Sequence, residues 1–180
     1  MDDPYEPPFG GTEKTWPDHG YLPHYLAIAA DLGMSARVCE LGVRRGDSLR
    51  LWQALFPQGD IAGVDCDPDA QWPKGTTRIE SAQDNPDRPE QVGSRDLIVD
   101  DASHLGGTTV RSFELLWPLV SPGGYYVIED WWFHWGLKDS MLAAVQSLVP
   151  LLGKPEMRVA SITYTWGLVM IRKKGQAGRL

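Results

Sequence analysis

Short apolar runs alternate with helix-period stretches along most of the chain, and this alternation narrows the fold more than any other feature. Residues 37–41 read as a buried strand, and Leu51, Trp52, Leu55 and Phe56 mark the helix that follows. Residues 61–65 read as a second strand and 77–80 as a weaker third. A fourth at 96–100 precedes a helix carrying Val110, Phe113, Leu116, Trp117 and Val120. Pro122-Gly123-Gly124 then turns the chain into a fifth strand at 125–129. Leu137, Met141, Val145 and Leu148 share a further helix, which Pro150 stops. Residues 157–163 and 167–172 alternate like two strands across a turn too short for a helical crossover, so they pair antiparallel. Ahead of all this, Tyr21, Tyr25, Ile28 or Ala29 and Leu32 share a helical stripe that Gly33 ends. The expected architecture is α/β: a doubly wound, mostly parallel, seven-stranded sheet with both faces covered and a C-terminal antiparallel hairpin.

One such sheet accounts for residues 21–174 as a single domain, after an irregular Pro- and Gly-rich arm at 1–20 and before a tail at 175–180. A hydrophobic content of 42% offsets ordering entropy, which excludes disorder for most of the chain. The formal charge of −7 argues against a nucleic-acid partner, which needs a basic face. Arg172, Lys173, Lys174 and Arg179 read as a solvated terminus. No run of about 18 apolar residues occurs, so no membrane partner is expected. Two cysteines, Cys39 and Cys66, make no disulfide framework, and the first residues lack the pattern of a secretory signal. The expected compartment is the cytoplasm.

In a doubly wound sheet the ligand sits beyond the strand C-termini, where the strand order reverses. The first strand ends in Glu40, then Gly42 and Gly46, with Arg44 where a dinucleotide fingerprint has its middle glycine. Loop glycines that merely cap a strand account for this equally well. Asp65 ends the second strand, nineteen residues beyond Gly46, where an acid takes ribose hydroxyls. A turn-forming Asp ahead of Pro68 is the plainer reading. Glu40 would suit the ammonium of a methionine moiety and would repel a pyrophosphate, which favours S-adenosylmethionine over a nicotinamide cofactor. Ser81, Gln83 and Asp84 follow the third strand and offer polar groups to an adenine edge.

These segments, in this order, resemble a class I S-adenosylmethionine-dependent methyltransferase over residues 37–130. Five segments carry a narrower likeness: Gly11-Thr-Glu-Lys14, Cys39-Glu-Leu-Gly-Val43, Ser48-Leu-Arg-Leu-Trp52, Asp100-Asp-Ala-Ser-His104 and Val127-Ile-Glu-Asp130. They resemble the macrocin and rhamnosyl sugar O-methyltransferases, a group that includes cephalosporin hydroxylase-like proteins. Glu40, Gly42, Gly46, Asp65, Gln83 and Asp100 are the expected cofactor contacts, and the likeness agrees with a cofactor bound there. The likeness further implies that Asp101, Glu129 and Asp130 hold a divalent metal, with His104 as catalytic base. Asp47 and Ala82 depart from the family pattern of a glycine and an acid.

Adjacent strand ends would also bring Asp101 and the Glu129-Asp130 pair into one crevice, where mutual repulsion favours a cation. Oxygen ligands suit Mg²⁺ or Mn²⁺. Helix caps and loop acids are the plainer account of the same residues. An ordinary histidine at pKa ~6.5 is about nine units, or roughly 12 kcal/mol, short of a water-like hydroxyl at ~15.7. General-base catalysis supplies only about 10²–10⁴-fold, whereas a cation can lower an oxygen's pKa toward ~7. An aliphatic hydroxyl therefore calls for the metal.

The expected activity is metal-assisted methyl transfer to a hydroxyl of a small polyhydroxylated or sugar-bearing natural product. A cofactor-binding protein without transfer and a nicotinamide-linked oxidoreductase are the alternatives. The arm is expected to fold over the cofactor. Trp131, Trp132, Phe133 and Trp135 either wall a pocket or pack an interface, and a homo-oligomer with shared sites is compatible with the chain. His19, His24 and His134 read as surface or structural.

Overall fold

The computed structural model describes residues 12, 14–15, 19–132 and 139–176. Helix α1 (Leu22–Leu32) leads into β1 (Val38–Leu41), α2 (Asp47–Leu55), β2 (Ile61–Asp65) and β3 (Thr77–Glu80). Then come α3 (Arg88–Val92), β4 (Arg95–Asp100), α4 (Gly106–Leu116), β5 (Val120–Glu129), α5 (Met141–Leu152), β6 (Val159–Tyr164) and β7 (Leu168–Lys173). The seven strands lie in the order β3-β2-β1-β4-β5-β7-β6. All pairs up to β5 are parallel, and β7 runs antiparallel to both β5 and β6. This is the expected sheet, with the order reversing between β1 and β4.

Burial on both faces explains why the strands read as continuous apolar runs. On one face Cys39, Leu41, Val64 and Ile98 pack with Phe113, Leu116, Val145 and Leu148 of α4 and α5. On the other, Val38, Ile61, Leu97 and Val99 pack with Tyr25, Leu49, Trp52 and Phe56. Phe113 anchors the first face, with ring centroids 5.3 Å from Trp117 and 5.1 Å from Tyr126. No helix among the described residues is long and apolar enough to cross a membrane.

Local readings differ at several points. Val120 opens β5 instead of ending a helix, and Pro122-Gly123-Gly124 lies inside that strand as an irregularity. Two steps along β4, from Arg95 to Leu97, match the five from Val120 to Tyr125. Gly123 supplies a φ of +86°, and a Cβ on Gly124 would overlap the Asp96 carbonyl, so the bulge absorbs what looked like a turn. Pro150 sits within α5 near its end, where few residues remain to lose a backbone bond. Ser140 caps that helix by accepting from the Ala143 N–H, while Leu137 lies outside the described residues. The short α3 had no periodic signal.

Gly42 leaves β1 with a φ of +90°, and a Cβ there would overlap the Asp101 carbonyl oxygen on the neighbouring strand end. The two loops that bound the switch point therefore touch through backbone. Gly42→Ala should lower unfolding free energy by at least about 2 kcal/mol, since it adds left-handed strain to a backbone clash. Urea denaturation checks this, and an unchanged midpoint would show that the loops separate freely.

Candidate active site

A cavity of about 340 Å³ opens at the switch point, within the size range of small-molecule sites. Gly42, Asp65, Gln83, Asp101 and His104 all line it, together with Val43, Arg44 and Ser81. Asp65 is fixed by backbone: its Oδ2 accepts from Val43 N at 2.8 Å and Arg44 N at 3.0 Å, and its Oδ1 from Asp67 N at 2.8 Å. Burial works against its charge, but these backbone bonds outweigh burial and hold its carboxyl below the usual range. Gln83 is tied inward. Its Nε2 donates to Asp100 Oδ1 at 3.1 Å and to Ser112 Oγ at 3.2 Å, while Oε1 accepts from Ser103 N at 2.8 Å.

Three residues read as cofactor contacts lie behind the cavity wall instead of on it. Gly46 turns the chain into α2 with a φ of +72°. Asp100 is buried and accepts from Tyr126 Oη at 3.1 Å; burial pushes its carboxyl up to about 7, with the Asp101 charge adding to the shift and Tyr126 opposing it. Glu40 is fully buried, and its Oε2 accepts from Trp52 Nε1 at 3.0 Å.

What occupies Glu40 is a lysine from the arm. Lys14 has no exposed surface, and its Nζ lies 3.2 Å from Glu40 Oε1, 2.8 Å from Asp101 Oδ2 and 2.8 Å from Glu129 Oε1. One ammonium thus joins the ends of β1, β4 and β5. Burial opposes its charge, yet the three carboxylates outweigh burial and raise its pKa well above the ordinary lysine value. Burial pushes Glu40 up to about 7 against the pull of Lys14. It raises Glu129 as well, helped by the Asp101 charge. Tyr25 also donates to Glu129 Oε1, whereas Glu129 Oε2 accepts no hydrogen bond from the described residues. Sequence reasoning missed this role for Lys14, although the Gly11-Thr-Glu-Lys14 motif in an otherwise irregular arm was its signal.

A second cluster stands beside the first. Asp101, His104 and Asp130 each offer a ligand atom, all within 4.8 Å of one another. His104 Nε2 is 3.7 Å from Asp101 Oδ1 and 3.8 Å from Asp130 Oδ2. Each aspartate has its other oxygen anchored: Asp101 Oδ2 by Lys14, and Asp130 Oδ1 by the Tyr21 hydroxyl at 2.5 Å. His19, read as surface or structural, comes within 3.7 Å of Asp130 Oδ1. His104 and Asp130 hold φ values of +50° and +51°, and Arg44 on the cavity wall shares this conformation. Arg158, which follows a 3-10 turn away from the site, shares this conformation too. The two carboxylate oxygens fit a small divalent cation, with the His104 imidazole beside them. Glu129, assigned to the metal by resemblance, lies with Lys14 and Tyr25 and outside the three-atom cluster. Phe133, His134 and Trp135 fall outside the described residues.

Two measurements follow from these electrostatics. Lys14→Met strands buried carboxylates without their cation and should destabilise by about 3–5 kcal/mol. Adding Glu129→Gln should recover part of that loss in urea unfolding; no recovery would show that Glu129 does not depend on Lys14. Asp100 and Glu40 carry folded-state pKa values raised to about 7, so their stabilising protons are fully in place below ~4 and lost as pH rises through about 7. Asp100→Asn should therefore flatten the decline of stability across that window, read as urea midpoints against pH.

No family model matches the chain. Mycinamicin VI 2''-O-methyltransferase of Micromonospora griseorubida is 35% identical over 127 residues, covering 63% of this chain and 32% of that protein. A rhamnosyl-tetracenomycin-C 3'-O-methyltransferase of Streptomyces olivaceus is 38% identical over 129 residues, covering 63% and 33%. Demethylmacrocin O-methyltransferase of Streptomyces fradiae is 32% identical over 163 residues, covering 77% and 41%. The chain thus spans roughly a third of the length of the first two and 41% of the third. The MycE methyltransferase of mycinamycin biosynthesis, solved with Mg, S-adenosylhomocysteine (SAH) and mycinamycin VI, superimposes with a TM-score of 0.79 at 26% identity. That match covers 94% of this chain and 54% of MycE. The chain has the class I S-adenosylmethionine-dependent methyltransferase fold and is related to sugar O-methyltransferases of natural-product biosynthesis.

Proposed function

We propose that this chain transfers a methyl group from S-adenosylmethionine to a hydroxyl of a small, sugar-bearing natural-product acceptor, assisted by Mg²⁺. The observation that carries the reading is the convergence of Asp130 with Asp101 and His104, the last two of which line the cavity. The cavity, with Asp65 fixed at its rim, would hold the cofactor. Asp101 and Asp130 would hold the cation through their cluster-facing oxygens. When bound, the ion supplies charge stabilisation to an oxygen that is losing its proton.

The protein's own groups do the rest. His104 takes the acceptor's proton at Nε2, and the positive charge it gains then lies 3.7 and 3.8 Å from two carboxylate oxygens. The acceptor oxygen forms its bond to the methyl carbon as the carbon–sulfur bond breaks, and the sulfonium becomes a neutral thioether. Tyr21 and Lys14 keep the aspartates from rotating during this exchange, so the acids are oriented before substrate arrives.

Mass spectrometry of SAH formation, with mycinamicin VI among a panel of glycosylated acceptors, tests the proposal. Chelator should abolish transfer and Mg²⁺ should restore it. Asp101→Asn and Asp130→Asn should each lose activity while keeping cofactor affinity nearly intact. His104→Ala should slow transfer by about 10²–10⁴-fold with metal and cofactor still bound. Full-speed transfer by chelated enzyme would show that the acids are structural.

A further inference from the structure

Next to Asp130 the chain builds an aromatic surface that the transfer chemistry does not use. Trp131 and Trp132 follow Asp130 directly, while Tyr164 ends β6 and Trp166 lies in the turn between β6 and β7. Trp131 Nε1 donates to the Thr165 carbonyl at 3.0 Å, and its ring meets Tyr164 edge-on at 6.3 Å. Trp132 and Trp166 stack nearly parallel, 18° apart with centroids 5.9 Å apart. Yet Trp166 is 78% exposed and Tyr164 46%.

The turn is fastened to the site. A Cβ on Gly167 would overlap the Tyr21 hydroxyl, so this glycine lets the turn lie against the same phenol that bonds Asp130. Trp166 is therefore one residue from backbone that lies against Tyr21, whose hydroxyl bonds Asp130 of the acid cluster. The cavity reaches that cluster through Asp101 and His104, and the aromatic surface adjoins it along the chain, where Trp131 follows Asp130.

We propose that Trp166, backed by Trp132, is the acceptor platform: it stacks on the C–H face of a sugar ring and presents a ring hydroxyl to Asp101, His104 and Asp130. This rests on the methyl-transfer reading and goes beyond it by assigning the sugar its binding surface. A pyranose has an apolar face and a polar rim, which complements a broad indole face beside an acid cluster. A neutral polyhydroxylated ring also suits a surface bordered by carboxylates better than an anionic ligand does.

The test uses the full chain loaded with SAH and Mg²⁺, with methyl α-L-rhamnopyranoside as probe in saturation-transfer NMR. The parent should saturate ring C–H protons of one face, Trp166→Ala should reduce that transfer at least about fivefold, and Trp166→Phe should fall between. With a glycosylated acceptor, Trp166→Ala should raise KM about tenfold or more while kcat changes far less. Calorimetric SAH affinity should stay within about twofold, which separates the platform from the cofactor site. Equal saturation in parent and Trp166→Ala, with SAH still bound, would overturn the platform and leave methyl transfer standing. A dimer in sedimentation that Trp166→Ala converts to monomer would overturn it too, because the surface would then belong to a second copy. A parent chain that binds no SAH would overturn both.

Discussion

The ammonium of Lys14 is the interaction on which the rest of the site depends. Three parallel strand ends deliver Glu40, Asp101 and Glu129 to one buried region, and carboxylates that close repel one another unless a cation stands between them. A lysine without exposed surface keeps its charge only when carboxylates match it in this way. Once it is in place, Asp101 is held by one oxygen and turned by the other toward His104 and Asp130. A buried ion pair adds little to stability compared with an apolar core, but it fixes orientation. Orientation is what the acid cluster needs.

The remaining geometry comes from the sheet. Reversal of strand order between β1 and β4 opens the cavity, and Gly42 lets the two bounding loops meet through backbone. The antiparallel β7 then brings the β6–β7 turn back beside β5, which is why Gly167 reaches Tyr21 and why Trp131 and Trp132 meet Tyr164 and Trp166. The same residue, Tyr21, thus borders the acid cluster on one side and the hairpin turn on the other.

Much of this was legible from residue pattern. Buried strands read as apolar runs because both faces are covered, and helices α1, α2, α4 and α5 each declared one apolar stripe. The carboxylates at strand ends followed from topology alone. What pattern could not give was long-range pairing: Lys14 with Glu40 and Glu129, or Tyr21 with Asp130, join residues whose proximity no local periodicity encodes. Pro122-Gly123-Gly124 looked like a turn because its local chemistry is that of a turn, yet pairing with β4 on both sides turned it into a bulge. Gln83 and Asp100 read as cofactor contacts, but which way each faces is set by Ser112 and Tyr126, far along the chain.

That the cation comes from the arm has a consequence for where the functional unit begins. Apolar periodicity starts at Tyr21, and a boundary drawn there would keep every strand and the strand-end carboxylates Glu40, Asp101, Glu129 and Asp130. It would also discard the only ammonium that bridges the ends of β1, β4 and β5 among the described residues. The hydrophobic unit and the electrostatic unit of this chain therefore have different edges. Cut at the first, the acids would survive in number but not in arrangement, and a fragment could fold well while its chemistry was lost.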